Sequence, residues 1–385
     1  MLADHSKVAA EQDSREVQER LCHDIAIDFL ANRQRLGDFV WEFTRSVGLV
    51  DSLEDARQLK FRESYSMEGV WAIRNGTVKF ELLCPSENME RPRPDEKPEP
   101  GAWISVGCGS DRILHDGIHL LSVSTGLRGA NIGPDTERLP VHTPFSIGIM
   151  GAGEEFSPGN LILAALAGEG SVVHLGQVSR QGRTVDVVEL LQRFDDKEMG
   201  SFVDARRMFL DRSQGSLPLE IELLGSDYVD GKSVSIKDLS PYFAAFMTEI
   251  GQTTNGCWYP MVGFNIAVDG DAPYTINVYR TRSLRLGAPT DVEMSLSIPA
   301  GYQISDRRNG RTAFRLRKDR NVAVTQLTDL LEECQRAKKR SELRSGSRQQ
   351  EPVNNEQSGP RVFWYLLTCG LLISAGIAIF YRVYK

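Results

Sequence analysis

The chain has 385 residues, 41% of them hydrophobic and 25% charged, with a formal net charge of −7. This is a globular composition with enough apolar mass for a real core, and it has room for two average domains or one large β domain with helical additions. The acidic balance speaks against a general nucleic-acid binder, which carries a basic face; the basic residues from Lys338 to Arg348 read as a solvated helix end and linker.

Residues 6 to about 47 are predicted to be helical, with a break near Gly37. Leu21, Ile25 and Phe29, then Leu36, Val40, Phe43 and Val47, recur at steps of three and four, with charge on the opposite face. An N-terminal amphipathic helix over 1–50, packing on the rest of the protein, is therefore expected. From about residue 59 the period changes to two. Trp71 and Ile73 alternate with Val70 and Ala72, and Val78, Phe80 and Leu82 with Thr77, Lys79 and Glu81; Asn75-Gly76 between the two runs suits a type I′ hairpin turn. Residues 85–101 are too rich in Pro and charge to pair and read as a surface insertion. Strands resume after residue 101, with Asp116-Gly117 as a second hairpin turn.

The stretch from Ile132 to Gly159 reads as loops and turns, and 160–168 as a short apolar helix ended by Gly168. A strand pair turning at Gln181-Gly182 follows. Leu217, Leu219, Ile221 and Leu223 alternate with Glu220 and Glu222, the pattern of a strand with one wet face. Another hairpin pairs Phe264, Ile266 and Val268 with Tyr274, Ile276 and Val278 around Asp269-Gly270, and 292–301 alternates again. Successive hairpins with one apolar face need a cover, which the helices supply. The expected fold class is α+β: a curved antiparallel sheet, an incomplete barrel over 51–320, wrapped round helices. A second amphipathic helix is expected over 321–343, with Val324, Leu327, Leu331 and Cys334 on one face, then a polar linker over 344–361.

The tail from Val362 to Tyr381 carries no charge and has about the ~20 residues a helix needs to span a bilayer. Trp364 and Tyr365 at one end and Tyr381 and Tyr384 at the other suit the two interfaces. A single-pass C-terminal anchor is expected, with the bilayer as partner. The first thirty residues show no basic region followed by an apolar one, so the bulk is expected in the cytoplasm as the chain is written, or outside if the gene start is mis-assigned.

Several stretches together resemble a known family. "FLDRSQGSLPLEIEL", with Asp211, Gly215 and Pro218, is similar to a strand–turn–strand of LolA-like outer-membrane lipoprotein carriers. "GCWYPMVGFNIAV", with Gly256, Trp258 and Pro260, is similar to a later strand of that family, and "LSIPAGYQISDRRNG", with Pro299, Gly301 and Asp306, to its closing strand. "WAIRNGTVKFELL" is similar to its early hairpin, and the order agrees over roughly residues 20 to 315. The resemblance implies an open antiparallel barrel with an apolar cavity, binding a lipid or lipidated partner without catalysis or cofactor. An anchored chain cannot shuttle between membranes, so a tethered lipid-binding or sensing role is expected. The alternative is a signalling or scaffold protein with a filled interior that binds a protein partner.

Motifs for chemistry are thin. "GIMGAGEE" is not Gly-x-Gly-x-x-Gly, His115, Asp116 and His119 are better explained by a turn than by a metal, and Asp227 and Asp230 lack the spacing of a calcium loop. No Gly-x-Ser-x-Gly elbow occurs. Trp103 and Trp258 read as core or cavity wall. The cysteines at 22, 84, 108, 257, 334 and 369 form no Cys-x-x-Cys pair; a bond between Cys84 and Cys108 is the one pairing worth naming. An enzyme is not expected.

Overall fold

The structure is a computed structural model that describes residues 2–83, 111–124, 129–134, 157–196, 200–226, 239–268, 272–308, 314–317 and 319–346. The chain divides into two compact units, Met1–Cys334 and Gln335–Lys385; the described residues of the second, 335–346, are helical. The insertion at 85–101, Trp103, Cys84, Cys108, Asp227, Asp230, the Asp269-Gly270 turn, most of the linker and the whole apolar tail lie outside the described residues. Among the described residues no helix is long and apolar enough to cross a membrane.

Helix α1 (Leu2–Gln34) presents Cys22, Ile25, Ala26 and Phe29 to the core on one stripe. It ends at Gln34, three residues before Gly37, whose φ of +53° no helix continues. Strand β1 (Phe39–Val50) follows directly. The expected helix through residue 47 is therefore corrected: Leu36 belongs to the turn, and Val40, Phe43 and Val47 to a strand. The stretch "FVWEFTRSV" is aromatic and β-branched and is buried on both faces, so its apolar spacing fits either period.

After the single turn α2 (Leu53–Arg57), β2 (Arg62–Arg74) and β3 (Thr77–Leu83) form the expected hairpin, with Asn75 at φ +48° and Gly76 at +78°. Next come β4 (Asp111–His115), β5 (His119–Ser124) and β6 (Gly129–Pro134). Helix α3 (Pro158–Ala164) runs into one wider turn, 165–169, where Gly168 sits at φ +104°. A second meander contains β7 (Ser171–Arg180), β8 (Arg183–Asp196), β9 (Gly200–Asp211), β10 (Leu217–Ser226), β11 (Ser240–Gln252), β12 (Trp258–Ala267) and β13 (Tyr274–Leu286). The chain then forms α4 (Asp291–Met294), β14 (Leu296–Ile298), β15 (Gln303–Asp306), β16 (Phe314–Arg317), β17 (Val322–Val324) and α5 (Leu327–Gly346). Residues 292–294 are thus helical where alternation suggested strand. The last helix starts at Leu327 rather than 321, because Val322–Val324 pairs with β14.

Among the described residues fifteen strands make one open sheet in the order β16-β15-β6-β5-β4-β3-β2-β1-β13-β12-β11-β10-β9-β8-β7. Two meanders, β1–β6 and β7–β13, are joined edge to edge through the long β1–β13 pairing. All described pairs are antiparallel except β15 with β6. Bulges in β1–β13, β9–β10, β7–β8 and β11–β12 bend the sheet locally.

Each face of the sheet is covered in part. On one, α1 and α3 pack Phe29, Ile25 and Ile162 against Trp41, Phe43, Trp71, Phe80, Val188 and Met208. On the other, α5 with β14 and β17 covers Leu114, Leu121 and Ile132, and the α2 turn lies with Phe246, Phe264 and Val278. The wet face expected for β10 is corrected in its first half: the bulge between Pro218 and Glu220 displaces Leu219, and Glu220 is only 6% exposed. Burial and the neighbouring Glu222 raise the pKa of Glu220, while Arg57 and Arg180, each 3.5 Å away, oppose the shift.

Helix α4 carries a complete capping box. The Thr290 side chain accepts from Glu293 N, and the Glu293 carboxylate accepts from Thr290 N at 2.7 Å. The Thr290 backbone N–H and then Arg285 hold Glu293 down at about 2. Thr290→Ala should lower stability by about 1 kcal/mol in urea titrations near neutral pH. A carboxylate with a depressed pKa stabilises above its unfolded value and loses that contribution as pH falls through the folded one. The gap between wild type and variant should therefore narrow between pH 4.5 and 2; a gap independent of pH over that window would remove Glu293 from the account.

Candidate functional site

Where α1 ends, its last turn and β1 leave space against β2 and α3. The result is an open cleft of about 430 Å³ lined by Leu30, Arg33, Gln34, Leu36, Gly37, Phe39, Ile73 and Asn160. Its volume falls within the range of small-ligand sites. Leu30, Leu36, Phe39 and Ile73 give it apolar walls continuous with the aromatic cluster beneath. Arg33 is the one basic side chain in the lining; burial pushes its guanidinium down to about 10, still charged at neutral pH. Asn160 is placed by the start of α3, where the Ser157 hydroxyl caps Asn160 N and Pro158 takes the first helical position. Gly159 allows the close approach of the two helices: a Cβ there would meet Leu30 Cγ at 2.9 Å.

A second hollow, about 370 Å³, is lined by Asp51, Asp55, Lys60 and Arg62 with Leu49, Val50 and Phe61. Its charges are mixed and Arg62 pairs with Asp51 at 3.6 Å, so it offers no comparable apolar wall.

One wall of the cleft is held by a polar latch. The Asn32 carboxamide accepts from Trp258 N at 2.8 Å and donates to Trp258 O at 2.9 Å, as a neighbouring strand would. Asn255 Nδ2 donates to Arg35 O, and Cys257 Sγ to Asn32 O. Gly215, at φ +67°, lies so close that a Cβ would fall 2.6 Å from Asn32 Cγ. Here the structure gathers Gly215, Gly256 and Trp258 of the sequence-selected residues. Asp211 sits at the start of the same turn, 1% exposed, accepting from Ser213 N at 3.0 Å and pairing with Arg183 at 3.3 Å. Pro218 is buried opposite Leu210, and Pro260 O accepts from Thr281 Oγ1, which accepts in turn from Trp41 Nε1. Pro299, Gly301 and Asp306 belong to a different region, the β14–β15 connection and β15, where Asp306 binds Arg308 at 2.7 Å. Trp364, Tyr365, Tyr381 and Tyr384 lie outside the described residues.

The cleft-lining residues were not singled out by sequence motifs. Leu36 and Phe39 fall in the stretch read as helix, and Asn32 looks like one more polar residue on α1. Only the approach of Gly215 and Trp258, remote in sequence, gives Asn32 its part.

Asp116 accepts from Ile118 N at 2.9 Å and His119 N at 2.7 Å, the contacts of its turn. Among the described residues no three His, Cys, Asp or Glu side chains are grouped to hold a metal ion. Cys22 and Cys257 are buried, free thiols pushed up to about 11, chiefly by desolvation. Thiols so raised are poor nucleophiles.

No family model matches the chain, and no curated protein matches it. Among solved structures, one similar to it is a domain from Vibrio parahaemolyticus described as outer-membrane lipoprotein-sorting, 14% identical, with a TM-score of 0.39 over 70% of this chain and 93% of that one. A LolA superfamily protein from Nitrosomonas europaea is 12% identical, with a TM-score of 0.35 over 71% and 96%. A DUF1329 family protein from Desulfovibrio piger is 8% identical, with a TM-score of 0.40 over 70% and 94%. At such scores the likeness carries nothing about ligand or role. The likeness to these solved structures extends over about 70% of the chain.

Proposed function

We propose that this protein is a membrane-tethered, non-enzymatic domain that binds an acyl chain, of a lipid or a lipidated protein, in the cleft at the end of α1. The observation that carries the reading is the open cleft of about 430 Å³ with Leu30, Leu36, Phe39 and Ile73 on its walls. Burial of methylenes supplies the affinity, at about 0.8 kcal/mol each. Arg33 and Asn160 provide polar groups at the same cleft for a ligand's polar end. The tether is the uncharged stretch from Val362 to Tyr381, flanked by Trp364 and Tyr365 and by Tyr381 and Tyr384.

A second reading, a sensor or scaffold that binds a protein partner, is favoured by the filling of the sheet's α1 side with its own aromatics, Trp41, Phe43, Trp71 and Phe80. The two are separated by mass spectrometry of lipids that co-purify with the detergent-extracted full chain, together with titration of a fluorescent fatty acid. Bound acyl lipid is expected in the wild type. Ile73→Arg should weaken fatty-acid binding about tenfold or more, because a charge in the wall costs more than several methylenes return. A wild type that carries no lipid and binds no fatty acid sinks the acyl reading and leaves the partner-binding one.

A further inference from the structure

The α1 side of the sheet holds a cationic group that the cleft does not use. Arg45 lies in β1, directly opposite Met67 on β2 and Tyr279 on β13. Its Nε and Nη2 donate to Asn277 Oδ1 at 3.2 and 2.7 Å, and its guanidinium lies 5.9 Å from the centre of the Tyr279 ring. Asn277 Nδ2 donates in turn to Asn265 Oδ1 at 2.9 Å, and Asn265 is 2% exposed. The relay crosses β1, β13 and β12 and fixes the direction of the guanidinium.

An arginine has five N–H donors. Two of Arg45's bonds go to one neutral amide oxygen, and no carboxylate among the described residues pairs with it. Several other half-buried arginines have a carboxylate partner: Arg74 has Asp291, Arg112 has Glu81, Arg207 has Glu189 and Glu222, and Arg308 has Asp306. Around Arg45 the same-face neighbours Phe43, Val47, Tyr65, Met67, Asn277 and Tyr279 are all uncharged. Arg45 Nη1 makes no hydrogen bond within the described residues and is not a buried atom, so its two N–H groups are open to solvent. A fixed guanidinium with spare donors, half-buried and lacking a counter-charge, has the form of a receptor for a planar or tetrahedral oxyanion.

We propose that Arg45 is an anion-recognition residue, and that its spare N–H groups bind the phosphate or carboxylate of a ligand on the α1 side of the sheet. The site is separate from the cleft, since Phe39 lies six residues away along β1, about 20 Å at about 3.3 Å per residue. The anion has two possible sources, a phospholipid headgroup or a free anion, with the same chemistry at Arg45.

The test uses the full chain in a neutral detergent, with dihexanoyl phosphatidate, dihexanoylglycerol and inorganic phosphate as probes. Binding is measured by calorimetry, and modification of Arg45 by phenylglyoxal is followed by peptide mass spectrometry. The phosphatidate should bind about tenfold tighter than the uncharged dihexanoylglycerol, the size of effect expected of charge-assisted bonds, and should slow modification of Arg45. Arg45→Gln should remove that preference. If inorganic phosphate protects Arg45 as well as the phosphatidate does, the proposal stands with a free anion as the ligand. If neither anion protects Arg45 in the wild type, or if Arg45→Gln keeps the preference, it is overturned. The protection measurement needs no variant, so it decides even if Arg45→Gln does not fold. Ile73→Arg should leave protection of Arg45 unchanged, so failure of the acyl cleft and failure of the anion site are read separately.

Discussion

Gly69→Val should destabilise the fold by about 3 kcal/mol or more, at the upper end of what overpacking a core costs. Gly69 lies in β2 opposite Phe43 of β1, and the Phe43 ring lies across it. A Cβ at residue 69 would fall 2.1 Å from Phe43 Cζ and 2.4 Å from both Cε atoms. The ring cannot swing aside freely. It stacks on Trp41 at 4.5 Å and lies 6.3 Å from Phe80 and 6.4 Å from Tyr279. The backbone at Gly69 is one that any residue adopts, so the effect is one of space and not of conformation. Phe43→Leu in the same molecule should recover part of the loss, because removing the ring clears the site, and the two substitutions should be far from additive. Urea unfolding of the single and double variants measures both quantities. If Gly69→Val melts like the wild type, Phe43 is not packed as described.

Asn32→Ala should cost about 2–4 kcal/mol, and its effect should reach the cleft. The substitution leaves both backbone groups of Trp258 without their partners in a part-buried setting, where each lost partner costs about 1–3 kcal/mol. Asn32→Asp should not rescue it. An aspartate still accepts from Trp258 N but turns a second oxygen toward Trp258 O, and it buries a charge at a position 2% exposed. Released from β12, the last turn of α1 would carry Leu30, Arg33 and Gln34 away from Phe39 and Ile73. Hydrogen exchange at the Trp258 amide should speed up in both variants, and fatty-acid binding should weaken with it. Rapid exchange with unchanged binding would separate the latch from the cleft.

Much of the strand plan was legible in the residues themselves. Asn75-Gly76, Asp116-Gly117 and Gln181-Gly182 mark hairpins because positive φ is cheap for Gly and Asn, and the observed angles at Asn75, Gly76, Gly117 and Gly182 are of that kind. Helix α3 was legible from its apolar run and from Gly168. The site was less legible. The cleft needs Leu30 on a helix, Phe39 and Ile73 on two strands and Asn160 on a second helix, and nothing local marks those positions as neighbours.

The failure at residues 36–47 has a definite cause. A strand buried on both faces loses the alternation that distinguishes it from a helix. Only the β1–β13 and β1–β2 pairings, over 200 residues apart in one case, decide which it is. Glu220 and Leu219 follow the same logic, since a bulge is set by the partner strand. The sequence by itself therefore determined the hairpins, the α3 helix and an uncharged terminal stretch long enough to span a bilayer, because these rest on local backbone preference and composition. Tertiary structure alone decided the joining of two meanders through β1 and β13, the pairing of Asn32 with Trp258 and the uncompensated setting of Arg45. Those depend on which distant residues come to lie side by side, and local energetics do not encode that.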